Sequence, residues 1–88
     1  MILKRTEFIA RVKIDEDTLE IWLSEQWLIP IQQAKEESFT DADVARAMLI
    51  QELAHNFGVN QPGIGVALHL LDQLHSARAS LMKLKPAL

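Results

Sequence analysis

The sequence predicts a mainly α domain made of two short helices, a small β wing, a third helix and a long C-terminal helix. Three observations predict it. First, Ile64, Ala67, Leu68, Leu71, Leu74, Ala77, Leu81 and Leu84 recur at spacings of three and four, so a helix over residues 62–84 has one apolar face. Second, Thr6 and Asp15 each precede a short apolar run of helical period, and only Lys13-Ile14 joins the two runs, which reads as a helix-turn-helix. Third, Thr40-Asp41-Ala42-Asp43 has the reciprocal capping pattern that opens a helix, whereas residues 31–39 have no helical period.

Composition sets the bounds. Eighty-eight residues make a single domain, residues 1–88. A chain this short buries only about 60% of the surface its unfolded form exposes, so it gains from a partner subunit. The absence of cysteine excludes disulfides and thiolate metal sites. No apolar run approaches the roughly 18 residues of a membrane span. The start, MILKRTEF, has no apolar stretch of signal-peptide type, so a cytoplasmic protein is expected.

Taken in order, residues 2–5 suit a short extended lead-in. Thr6 is placed to cap a helix over residues 7–12, with Phe8, Ile9 and Val12 inward. Asp15 caps a second helix over residues 16–26, with Leu19, Trp22 and Leu23 inward. Pro30 holds the segment before it extended. The helix-turn-helix thus covers residues 6–30 and a wing covers 31–39, expected as a ribbon of residues 28–32 against 37–39. The third helix, within residues 40–57, runs to about His55 and ends at Gly58, with Phe57 and Val59 tucked into the core. The last helix lies within residues 61–85. Asn60 or Gln61 is its cap, Pro62 sits in its first turn and Pro86 lies just past its end. A helix of about 22 residues is about 33 Å long. Its first half, to Leu71, is expected to be core. Leu71, Leu74, Arg78, Leu81 and Leu84 are expected at a dimer interface, most simply an antiparallel pair.

The net charge is only −3, but it is unevenly distributed. Lys4, Arg5, Arg11 and Lys13 precede Asp15, whereas residues 15–43 hold nine acids against Lys35 alone. Acids at helix starts favour the N-terminal dipole, which accounts for some of them. A nucleic-acid binder normally has the reverse balance, because phosphate contacts supply most of its affinity.

The order of elements and several residues resemble the MerR-type winged helix-turn-helix. These residues are Thr18-Leu19, Trp22, Trp27-Leu28-Ile29-Pro30, Phe39-Thr40 with Asp43-Val44, Leu49-Ile50 with Leu53, Phe57-Gly58-Val59, and Ile64 with Leu68. The resemblance implies a small β wing and a long C-terminal dimerisation helix. Thr6-Glu7-Phe8, Leu28-Ile29-Pro30 and Pro62-Gly63-Ile64-x-Val66-Ala67-Leu68-x-Leu70-x-Asp72 further resemble the CbpM chaperone-modulator family. That resemblance implies binding to the J-domain of a DnaJ-like (CbpA-type) co-chaperone and inhibition of its engagement of Hsp70. The alternative it leaves is a MerR-like DNA-binding transcription regulator, and a third reading is a structural dimer module.

DNA-binding MerR relatives place an arginine and a tyrosine directly after the Thr-Leu of the second helix. Here those positions are Glu20 and Ile21, and the wing offers Lys35 beside Glu36 and Glu37. Carboxylates facing phosphates repel them, and no neighbouring base is expected to offset this. The face formed by Asp15, Glu16, Asp17, Glu20 and Glu25 therefore suits a cationic protein surface, with Ile21 and Trp27 as candidate apolar anchors. Trp27 serves equally well as a core filler beneath the wing.

His69-x-x-Asp72-x-x-His75 converges poorly for a metal and no fourth ligand is evident, so local pairing of Asp72 or a polar contact across a dimer is expected and no metal. His55 suits the dipole at the end of the third helix. Gly63-x-Gly65 follows no strand and precedes no Lys-Ser/Thr, so it is read as close helix approach rather than a phosphate loop. No serine has a base nearby in sequence, so no enzyme and no cofactor are expected.

Overall fold

The computed structural model describes residues 1–33 and 35–84. The order is β1 (Ile2–Lys4), α1 (Arg5–Val12), α2 (Glu16–Ser24), β2 (Ile31–Gln33), β3 (Glu36–Thr40), α3 (Asp41–Gln51), a π-helical turn (Glu52–Asn56) and α4 (Gln61–Leu84). It is a mainly helical winged helix-turn-helix with a three-stranded antiparallel sheet of order β1-β3-β2.

The lead-in is a true strand. Leu3 lies opposite Phe39 on β3 and Lys4 opposite Ser38. This moves the start of α1 to Arg5, so Thr6 sits inside the first turn and is not its cap. Instead Glu7 reaches back, and its carboxylate accepts the Lys4 N–H at 2.9 Å. Lys13 closes α1 in the left-handed region (φ 64°), and its N–H donates to the Ile9 carbonyl at 2.8 Å. Asp15 caps α2 as expected, accepting the Thr18 N–H at 2.7 Å. That bonding from Thr18 holds the Asp15 carboxyl below its ordinary pKa.

The wing is shifted by several residues. Ile31 pairs with Ser38 and Gln33 with Glu36, and Leu28 goes into the core at 2% exposure rather than into a strand. Gln26 takes the positive φ (60°) that turns the chain out of α2, so Trp27 occupies ordinary backbone and is free to bury its ring. Phe8 and Phe39 stack with centroids 4.2 Å apart and join α1 to the sheet at the centre of the core. Around them lie Leu19, Trp22, Leu28, Ile50 and Leu68.

Thr40 opens α3 with the expected reciprocal cap: its hydroxyl accepts the Asp43 N–H at 3.3 Å, and Asp43 accepts the Thr40 N–H at 2.9 Å. The helix does not stay α to His55. From Glu52 it widens, and the Phe57 N–H bonds the Glu52 carbonyl five residues back. The extra residue in the turn rotates the chain downstream of it. Phe57, expected in the core, is 70% exposed, while Val59 packs half-buried against the core. Gly58 then breaks the helix at φ 64°.

Asn60 caps α4, its side chain accepting the Gly63 N–H at 2.9 Å. A Cβ at Gly63 would come within 2.7 Å of Val59 Cγ1, so a side chain there forces a local shift. Gly65 has no such conflict, since its Cβ would meet Trp27 Nε1 at an ordinary 3.6 Å. Ile64 and Leu68 are the buried residues of α4, and every residue from Asp72 to Leu84 is exposed. The projecting helix raises the radius of gyration to 15.0 Å, against about 12 Å for a compact chain of this length. Pro86 and residue 85 of the expected helix lie outside the described residues.

Candidate functional site

The outer side of α2 is built around a cation that the sequence pattern does not place there. Arg5, the first residue of α1, lays its guanidinium across the start of α2. Nε donates to Glu16 at 2.9 Å, Nη1 to Glu37 of β3 at 2.6 Å, and Nη2 to Glu20. Bonding to Glu16 first, then to Glu37 and Glu20, holds the Arg5 guanidinium above its ordinary pKa against the opposing effect of burial. The expectation that no base offsets Glu20 is therefore corrected. It failed because β1 pairing, invisible in the local pattern, carries Arg5 to the wing. Lys4 and Lys35 line a depression between α1 and the wing together with Arg5, Glu36 and Glu37, whereas Arg11 and Lys13 line another beside α3.

Three carboxylates around one guanidinium still leave two negative charges, and Asp17 stands exposed on the same helix. Ile21 is 46% exposed and available as an apolar anchor. The five acids grouped from sequence do not act together. Asp15 is occupied as the cap, and Glu25 is drawn to the far end of α2, where it accepts from Gln61 Nε2 at 3.1 Å. Trp27, the second anchor candidate, is 6% exposed. It packs into the core with its indole edge toward Gly65 of α4, not beneath the wing.

Asp72 has a partner, but not a local one. Arg46 of α3 grips it bidentately, Nη1 to Oδ1 at 2.7 Å and Nη2 to Oδ2 at 3.0 Å, while Arg46 Nε donates to the Trp27 carbonyl. One side chain thus ties the exit of α2, α3 and α4 together. Bonding from Arg46 holds the Asp72 carboxyl below its ordinary pKa, and His69 and His75 add to this only at a distance. With both oxygens engaged, Asp72 serves packing geometry rather than metal ligation. Among the described residues no group of His, Asp or Glu is placed to hold a metal ion.

The dimer candidates divide as well. Leu74, Arg78, Leu81 and Leu84 are exposed, but Leu71 is half-buried on the core side. Leu70, which sequence reasoning does not assign to the interface, is 58% exposed and continues the outward face. The period of three and four fits either residue, and only the docking of α4 on the domain distinguishes them.

These features define a winged helix-turn-helix domain with a projecting C-terminal helix. A family model described as MerR HTH family regulatory protein matches residues 3–86. The chain belongs to that family. No curated protein matches it. Among the described residues no helix is long and apolar enough to cross a membrane.

Proposed function

We propose that this chain is a non-enzymatic chaperone modulator. On this reading it uses α2 and the wing to bind the J-domain of a DnaJ/CbpA-like co-chaperone and so blocks engagement of Hsp70, it needs no cofactor, and it acts in the cytoplasm as a homodimer through α4. One observation carries the reading. Where a DNA reader of this architecture would meet phosphate, the Arg5 guanidinium is already held by three carboxylates, Glu16, Glu20 and Glu37, which exceed its charge by two, with Lys4 and Lys35 nearby on the wing side. An excess of fixed carboxylates repels a phosphate backbone and steers toward a cationic helix. Ile21 would supply the apolar contact, since rim charges set association rate more than affinity.

The experiment is a titration with a purified J-domain at low and high salt. Binding should weaken as salt rises, and the variant Asp17→Lys with Glu20→Lys should lose it while keeping its helical circular dichroism. Unchanged affinity in a folded double variant would rule out this face.

A second reading, a DNA-binding transcription regulator, is favoured by membership of a regulatory helix-turn-helix family and by the position of Arg5. A mobility shift with duplex DNA distinguishes the two readings. Sequence-selective binding at moderate salt would favour regulation of promoters.

A further inference from the structure

The end of α1 and the end of α3 meet at a second surface, which the proposed function leaves unused. Arg11 and Lys13 form one side of an open depression of about 460 Å³, and Met48, Glu52, His55 and Asn56 form the other. The two sides are tied together, because Gln51 Nε2 donates to the Val12 carbonyl at 3.1 Å. Among the described residues neither Arg11 nor Lys13 has a carboxylate within ion-pair distance, and Arg11 Nη2 meets the Met1 thioether at 3.9 Å.

Balancing the α1 dipole accounts for a base in its last turn. It does not account for the apolar surface alongside. Met48 is 49% exposed, and Phe57, the residue directly after Asn56, is 70% exposed. The backbone holds Phe57 there: its N–H bonds the Glu52 carbonyl, and Gly58 breaks the helix immediately after it. Phe, Met and Arg are residue types that concentrate at protein interfaces.

We propose that this depression binds an acidic linear segment of another protein, with carboxylates on Arg11 and Lys13 and a bulky apolar side chain packed on Met48 and Phe57. Charge complementarity selects that occupant. Two cations without carboxylate partners, against Glu52 alone, attract carboxylates, and the apolar neighbours supply the affinity that charge by itself does not. A depression of this volume is at the scale of small concave sites, so it takes a few side chains of an extended segment rather than the face of a folded domain. A nucleic-acid strand fits less well, since two cations are few for a phosphate backbone and Glu52 opposes it. The site is also separate from the α2 face. Arg5 and Arg11 lie six residues apart on α1, which turns them about 120° from each other. The proposal is therefore independent of the J-domain reading, and either can fail alone.

The probe is a fluorescein-labelled peptide of glutamates carrying one leucine and one phenylalanine, followed by fluorescence anisotropy with the full chain. It should bind, and binding should weaken as salt rises. Arg11→Glu and Phe57→Ser should each lower the affinity by about tenfold while keeping the helical circular dichroism. Phe57 is exposed, so Phe57→Ser decides the matter if Arg11→Glu fails to fold. The same two variants should leave the J-domain titration unchanged. No binding of the peptide, equal binding of a version with lysine for glutamate, or unchanged affinity in folded Phe57→Ser would overturn the proposal. Displacement of the peptide by a thymidine oligonucleotide that binds more tightly would also overturn it, in favour of a nucleic-acid site.

Discussion

Single side chains decide more here than the apolar pattern does. Nothing local in the sequence marks Arg46, yet it bonds a backbone carbonyl and a carboxylate from two other segments. Arg46→Met should destabilise the fold by about 1–2 kcal/mol, since it leaves the partly buried Trp27 carbonyl without its donor. Asp72→Asn should cost less, about 0.5–1 kcal/mol, because the Asp72 side chain is 55% exposed and screened by solvent. The pH dependence follows from the sign of the shift. The folded pKa of Asp72 lies below its unfolded value, so its contribution is present above the unfolded value of about 3.9 and is lost as pH falls through the folded one. Urea melts of wild type and Asp72→Asn should therefore differ near neutrality and converge in strong acid. A gap that persists there would assign the effect to packing instead.

At the scale of elements, caps and glycines account for what was legible. Asp15 and Thr40 marked the starts of α2 and α3 because capping is local chemistry, complete within four residues. Thr40→Ala should cost about 1 kcal/mol and lower the thermal midpoint by about 4–8 °C for a domain of this size. An unchanged midpoint would show that Asp43 alone sustains the cap. The two α4 glycines should respond differently. Gly65→Ala should stabilise by up to about 1 kcal/mol through helix propensity, whereas Gly63→Ala should forfeit that gain against the stiff side chain of Val59. Equal midpoints for the two variants would count against the close approach at Val59. The start of α1, the wing register and the widened turn at Glu52–Asn56 were not legible. The first two depend on long-range partners, β1 on β3 and β2 on β3, and the third is a turn type with no sequence signature.

For the molecule as a whole, the fold class and element order could be read from periodicity, since burial follows it directly. The candidate site was only half readable. Glu16, Glu20, Asp17 and Ile21 share the outer side of α2, but Arg5 and Glu37 join them only through the sheet, while Glu25 and Trp27 belong to the junction with α4. The charge argument survives in weakened form, as a net excess rather than an unbroken acidic face. Arg5→Ala should accordingly strengthen salt-sensitive association with a basic J-domain by a few-fold, if the variant keeps its helical signal. Weaker association in a folded Arg5→Ala protein would indicate that the cation contacts the target itself.

Twelve residues of exposed helix lie beyond the clasp at Asp72, a lever of about 18 Å whose bearing is set on the upstream side by Ile64 and Leu68 in the core together with the Arg46 guanidinium. A tilt of about 10° at that point would carry the tip sideways by about 3 Å, over half the rise of one helical turn. Whatever loosens Arg46 should therefore be felt first at Leu84, the end farthest from the change.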